Sequence, residues 1–357
     1  MTANRATDLM TGLVTEPATM RLWAMDALGR NSLHQSTVPV PTPVPGQVLV
    51  KVAAVSLNYR DKLVIESGMG LPLKFPFVPG SDMAGTVVRA GDTATRFKVG
   101  DRVISTFRPG WIDGAPSGTA SVPPYDSLGG IHPGVLAEYV CFPDAWFSSA
   151  PDTLDDAEAS TLPCAGLTAW FALVEQSRLH PGQTVVVQGT GGVALFGLQI
   201  ARAHGADVIV LSGSAEKLAR AKTLGATHLI DRSREDWVQA VYRITGDRGA
   251  DHILELAGGA NLGRSVEAVA INGRISVIGV FEGFTFSGPM GPLLLKSPTI
   301  QGIGVGHRRA LEDLVRAVDR IGLKPVIDHR YAFDELDAAL DHLDRGPFGK
   351  IVVQMGA

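Results

Sequence analysis

The sequence predicts an α/β protein built in two parts, an all-β unit followed by a doubly wound parallel sheet. Three observations carry this. Short strands cut by Pro and Gly run to about residue 147, a strand–turn–helix grammar begins near Asp152, and a glycine-rich turn sits between one strand and its helix. With 357 residues, 45% hydrophobic and 19% charged, the chain has core enough for two domains and is neither disordered nor fibrous. Its 32 Lys and Arg against 36 Asp and Glu give no general drive toward nucleic acid or an anionic membrane surface. No apolar run is long enough to span a bilayer, and the N-terminus lacks the apolar core of a signal peptide. A small-molecule partner and a cytoplasmic address are the expectation. Only Cys141 and Cys164 occur, which excludes a disulfide framework and a four-thiolate zinc site.

In chain order, residues 1–19 precede the first unit as a mobile tail or an added edge strand. Strands are expected at 48–57, 84–91, 101–106 and 136–142, closing a distorted barrel, with 109–134 as a long surface loop crowded with Gly, Pro and Ser. The second part reads as strand 184–188, a helix to His204, strand 207–212, a helix to Leu224, strand 227–231, a helix near 236–244, and strands at 252–256 and 274–280. Those strands are continuous apolar runs, as expected where helices cover both faces of a sheet. Gly205 and Gly225 each follow a helix, where a left-handed residue is wanted. Helices at 310–321 and 334–344 and a strand KIVVQM complete the chain.

The most informative segment is VVVQGTGGVALFG, in which Gly189, Gly191 and Ala194 match G-x-G-x-x-A between strand and helix. Gly189 permits a sharp turn, Gly191 a close approach to a pyrophosphate, and Ala194 tight helix-to-strand packing. The backbone from Thr190 through Gly192 and Val193 then offers amides at the positive end of a helix. A dinucleotide is the natural ligand, against the alternative of a glycine turn that binds nothing. About twenty residues on, an acid would accept from a ribose 2′-hydroxyl and repel a 2′-phosphate. Here the chain reads Leu211-Ser212-Gly213-Ser214, with Lys217 in the first turn of the next helix. Two hydroxyls and a cation in place of the acid favour NADPH; the alternative for Lys217 is a solvated surface lysine.

Several separated stretches, PVPGQVLVKVAAVSLNYRD (43–61), PFVPGSDMAGTV (76–87), FKVGDRV (97–103), GVLAEYV (134–140) and ASTLPCAGLTAW (159–170), together with the cradle, resemble the medium-chain dehydrogenase/reductase superfamily, in particular its zinc-independent, quinone-oxidoreductase-like branch. The resemblance implies a GroES-like barrel over 1–155, a Rossmann domain over 156–306, a return of 307–357 to the barrel, a cleft between the domains, and a homodimer. Zinc-dependent relatives hold their metal with Cys, Gly-His-Glu and Cys. The same positions here are Asn58, Gly80-Ser81-Asp82 and Cys164, so two ligands are lost and no zinc is expected. Cys164 then reads as a small buried hydrophobe.

Without a Lewis acid, a carbonyl or enone needs hydrogen-bond donors and a source of protons. Asn58 and Tyr59 occupy the former ligand neighbourhood and are the candidate catalytic pair, the alternative being that both cap a turn. The resemblance also implies that Thr168 lies near the nicotinamide, Ala257 beside the cofactor, and Ile278, Gly279 and Val280 toward the carboxamide. Arg232 replaces a tyrosine that helps hold the 2′-phosphate in relatives, unless it is simply solvated. Phe107 and Trp111 begin a loop that covers the substrate or belong to a satellite core. The expected activity is an NADPH-dependent, zinc-independent reduction of a quinone, activated alkene or carbonyl. The alternatives are a zinc-type alcohol dehydrogenase relative and an NADPH-binding structural or regulatory protein with little turnover.

Overall fold

The second part of the chain alternates side chains of each strand between two cores, and that alternation builds its sheet. The computed structural model describes residues 17–122 and 125–356. On β8 (Thr184–Gln188) and β9 (Asp207–Ser212), Val185, Val187, Val208 and Val210 enter one core with Ala194 and Leu198, while Val186 and Ile209 enter another with Val241 and Leu262. With β10 (His228–Asp231), β11 (Ala250–Glu255), β12 (Val269–Val277) and β13 (Thr299–Gly302), these strands form a parallel six-stranded sheet in the order β10-β9-β8-β11-β12-β13. The chain winds outward in both directions from β8, so the crevice past the C-terminal ends of β8 and β11 is the switch point at which such sheets take ligands.

The first part contains a two-stranded ribbon of β1 (Thr19–Met25) and β2 (Leu33–Pro39), absent from the sequence reading. The expected tail over 1–19 is therefore shortened at its end, since Thr19 already pairs with Pro39; residues 1–16 of it lie outside the described residues. Then follow β3 (Gln47–Leu57), β4 (Asp82–Ala90), β5 (Arg102–Ser105), β6 (Tyr139–Pro143) and β7 (Phe147–Ser149). They share a seven-stranded sheet with β14 (Ile327–Ala332) and β15 (Lys350–Gln354), in the order β14-β15-β3-β4-β5-β7 with β6 also on β3. Residues 350–354 thus lie inside this sheet, antiparallel to β3, with Ile351 opposite Leu57.

Helices fill the rest. α1 (Tyr59–Ser67) leaves β3; α2 (Asp156–Ala159) and α3 (Leu167–Trp170) link the two sheets. α4 (Gly192–Ala203), α5 (Ala215–Thr223), α6 (Trp237–Thr245), α7 (Asn261–Ala268) and α8 (Met290–Lys296) cover the parallel sheet, and α9 (Arg308–Ile321) and α10 (Leu336–Asp344) precede the last strands. Local chemistry starts them: Ser214 accepts the Lys217 N–H at the head of α5, and Asp236 accepts from Val238 and Gln239 at the head of α6. Gly205 and Gly225 adopt φ of 76° and 98°, the left-handed exit that closes α4 and α5. Among the described residues no helix is long and apolar enough to cross a membrane.

The long segment after β5 is less of a surface loop than its composition suggests. Phe107 and Trp111 are buried, the latter edge-on to Phe171 and His307, so they belong to the core and not to a cover. Arg60 fastens the segment to α1 by donating to the carbonyls of Leu128 and Gly129 and to the hydroxyls of Ser127 and Tyr125.

His252 on β11 is 4% exposed, with Nε2 3.0 Å from Gln183 Oε1 and Nδ1 without a partner among the described residues. Burial pulls its pKa down from 6.5 to about 4, opposed by Asp251 and assisted by Arg274 and His180. As the pH falls, the unfolded chain protonates this ring first. The stability of the neutral ring is therefore present above the unfolded value and lost from there toward 4, on the order of 3 kcal/mol in all. A His252→Gln variant is expected to show a flatter dependence of Tm on pH across this window than the parent; parallel curves would contradict the assignment.

Candidate active site

The cradle forms where β8 meets α4. Gly189 adopts φ 83° and donates its N–H to Leu211 O at 2.7 Å, turning the chain out of the sheet. Gly191 precedes the helix, and a Cβ added there would meet nothing within 4 Å, so the backbone is open to a ligand. The first-turn amides of Gly192 and Val193 have no intrahelical partner. The C-terminal segment closes one side: Gly349 donates to Thr190 O at 2.9 Å, and Gly191 bridges to Gly349. A Cβ at Gly192 would lie 2.4 Å from Lys350 Cδ, so only glycine lets that lysine pass.

At the end of β9, Ser212 Oγ accepts the Ser214 N–H at 3.2 Å, and Ser214 Oγ accepts the Lys217 N–H at 3.3 Å. Both hydroxyls keep a proton to donate. The Arg232 N–H meets Ser212 O at 3.0 Å, and its Nε lies 3.8 Å from where a Cβ on Gly213 would stand. Lys217 Nζ donates to Gly346 O at 2.5 Å. The four residues singled out here thus gather at one strand end. Asp231, in register with Ser212 on β10, spends its carboxylate on the N–H and hydroxyl of Ser233.

Glu255 organises the opposite end, a residue that periodicity passed over as part of an apolar strand. Fully buried, its carboxylate accepts from Gln188 Nε2, Asn261 Nδ2 and the Ser265 hydroxyl, and from the N–H groups of Ala257 and Gly258. Its own carbonyl accepts from Ile278 and Gly279 at 2.9 and 3.1 Å. The loops bearing Ala257 and Ile278–Val280 are thereby drawn together past the ends of β11 and β12. Thr168 is buried in α3.

Tyr59 begins α1, and its ring lies 4.4 Å from that of Phe281, the residue after Val280. The first part of the chain therefore reaches the loop proposed to face the cofactor. Among the described residues the Tyr59 hydroxyl has no hydrogen-bond partner in the protein, and Lys62 Nζ stands 5.6 Å from the ring. Asn58 is buried in a polar cluster. Its N–H donates to Asp61 Oδ2 at 2.8 Å, its Oδ1 accepts from Lys350 Nζ at 2.5 Å, and its Nδ2 faces Ser81 Oγ at 3.4 Å. Ser81 donates to Asp82, whose other oxygen accepts the Cys164 N–H at 2.9 Å. Burial pushes the Asp82 carboxyl up to about 6, with the ammonium of Lys350 holding it from going higher, and pushes the Cys164 thiol up as well. Lys350 is the member that sequence reading missed.

A largely antiparallel unit, a parallel six-stranded sheet and a glycine turn where β8 meets α4 define the dehydrogenase class of fold. Residues 44–152 match the alcohol dehydrogenase GroES-like domain family and residues 192–320 the zinc-binding dehydrogenase family. The chain is 37% identical to the zinc-type alcohol dehydrogenase-like protein C1773.06c of Schizosaccharomyces pombe, over 92% of this chain and 96% of that one. It is 29% identical to the quinone oxidoreductase of Rattus norvegicus, over 89% and 92%. A solved structure from Sinorhizobium meliloti 1021, provisionally described as an alcohol dehydrogenase, superposes with a TM-score of 0.94 at 65% identity, covering 95% of this chain and all of the other. A solved NAD-dependent alcohol dehydrogenase gives 0.85 at 32% identity, covering 94% and 100%. The chain belongs to the medium-chain dehydrogenase/reductase superfamily and is an oxidoreductase of the alcohol dehydrogenase and quinone oxidoreductase type.

Proposed function

We propose that this oxidoreductase uses NADPH, without zinc, to reduce a quinone, activated alkene or carbonyl compound. The observation that carries the reading is the end of β9, where Ser212, Ser214, Lys217 and Arg232 collect and no carboxylate is offered by the strand itself. A 2′-phosphate would find hydroxyl donors and two cations there, and the Lys217–Gly346 contact is one it would replace. The cofactor supplies the hydride. In this reading the amides of Gly192 and Val193 grip its diphosphate, and Tyr59, whose ring meets that of Phe281, and Asn58 are the donors to the substrate oxygen.

The donor set speaks against a catalytic zinc. Asn58 offers an amide oxygen already engaged by an ammonium and Ser81 stands where a histidine would bind, which leaves Asp82 and Cys164, fewer than the three protein ligands a catalytic zinc takes.

Titration is expected to give an NADPH dissociation constant at least about tenfold below that for NADH, a difference of roughly 1.4 kcal/mol. Stopped-flow mixing of bound NADPH with quinones, enals and ketones is expected to oxidise it with at least one class. Equal dissociation constants would overturn the cofactor preference, and binding with no oxidation across the panel would overturn the reductase.

A further inference from the structure

The buried lysine that heads β15 is the strongest unused feature of the molecule. The β3–β15 register, continued by one residue beyond the Ile351–Leu57 pair, sets Lys350 opposite Asn58. Its entry is fixed on both sides: Gly349 donates to Thr190 O, the Lys350 N–H donates to Val326 O at 2.9 Å, and the stem crosses above Gly192. The residue is 4% exposed, and Nζ donates to Leu57 O and Asn58 Oδ1, both at 2.5 Å. An ammonium has no acceptor, so the atom of Asn58 facing it must be the oxygen. The Asn58 NH2 group is then turned the other way, where Ser81 Oγ at 3.4 Å holds it only loosely.

We propose that Lys350 is a positioning residue for the reduction: by engaging Oδ1 it presents Asn58 to the substrate solely as a hydrogen-bond donor. The proposal deepens the reading above and rests on it for the part concerning turnover. A donor-only amide stabilises negative charge developing on a carbonyl or quinone oxygen, whereas an amide free to flip would offer its oxygen in part of the population and repel that charge. The lysine touches no reacting atom; its effect passes through Asn58.

Two variants and two readouts test it. Lys350→Met keeps the stem and removes the ammonium, and Lys350→Arg keeps a cationic donor. With 9,10-phenanthrenequinone as acceptor, Lys350→Met is expected to slow oxidation of saturating NADPH by about tenfold or more, with the NADPH dissociation constant changed less than about threefold and partial recovery in Lys350→Arg. The Asn58→Ala, Lys350→Met double variant should be no slower than the slower single variant. Independently of turnover, selective 15N-asparagine labelling should give slowly exchanging Nδ2 protons for Asn58 in the parent chain, and fast exchange in Lys350→Met. Unchanged Asn58 exchange overturns the proposal, as does a tenfold weaker NADPH affinity with an unaltered rate at saturation, which would make Lys350 a diphosphate ligand. Should the parent chain oxidise NADPH with none of the quinones, enals and ketones, the reductase reading fails while the exchange measurement still decides the role of Lys350. Should Lys350→Met not fold, exchange in Lys350→Arg decides, with parent-like protection expected and fast exchange overturning.

Discussion

Glu255→Ala is expected to destabilise the protein by about 3–5 kcal/mol in urea unfolding, a large share of a typical domain's stability. Removing the carboxylate leaves the Ser265 hydroxyl and the N–H groups of Ala257 and Gly258 facing a buried space without their acceptor, and leaves Gln188 Nε2 only Ser265 Oγ and Asn261 Nδ2 only Gln188 Oε1. The separate costs do not add, because the donors share one acceptor and relax together. Glu255→Gln preserves shape but turns an NH2 toward the same donors, so it should recover only part of the loss. The site feels this too, since Ala257 is held by that carboxylate. NADPH affinity is expected to fall in the Gln variant under conditions where it remains folded. A loss below about 1 kcal/mol for Glu255→Ala would show that water fills the place of the carboxylate.

Gly279→Ala should cost at least about 3 kcal/mol, at the upper end of what overpacking imposes. A Cβ there would stand 1.6 Å from Leu256 O and 2.3 Å from Leu256 C, backbone atoms that no rotamer change can move aside. Relief requires the 256–259 and 278–282 loops to separate, which breaks the bonds from Ile278 and Gly279 to the Glu255 carbonyl and from Glu282 to Ala257 O. NADPH titration should therefore show weakened binding alongside a lower Tm, while a control at Gly291 on α8, where an added Cβ meets nothing within 4 Å, should leave cofactor affinity near the parent value. An unaltered NADPH dissociation constant in a destabilised Gly279→Ala would separate these loops from the cofactor.

What the sequence made legible follows from how local the responsible physics is. Strands 184–188 and 207–212 match β8 and β9 residue for residue because both faces are buried and every position along them is apolar or terminal. The expected strand 274–280 instead ends at Val277 and begins at Val269, since Ile278 and Gly279 leave the ladder to bond Glu255 O. Apolarity does not distinguish a strand from an equally apolar loop strapped to its end. The serines, Lys217 and Arg232 fall at one strand end because their spacing is set by a single βαβ unit. Lys350 was invisible for the opposite reason: its partners Leu57 and Asn58 are 293 and 292 residues away, and a lysine before an apolar strand reads as a solvated edge. Phe281 was hidden likewise, its contact with Tyr59 being made only when the two sheets face each other. An acid within the run HILEL was the one cue that could have exposed Glu255, because a lone carboxylate in a doubly covered strand must be satisfied by something.

The late arrival of β15 in the middle of the first sheet has a consequence for biosynthesis. On the ribosome, β3 emerges long before the strand that completes its flank; at about 5–20 residues per second, a separation of 293 residues amounts to on the order of 15–60 s. Throughout that interval the nascent chain displays an unsatisfied edge beside Val55 and Leu57, an invitation to pair with a neighbouring polysome's product. Translation is thus a window of exposure that the finished fold closes, since β15 then covers this edge.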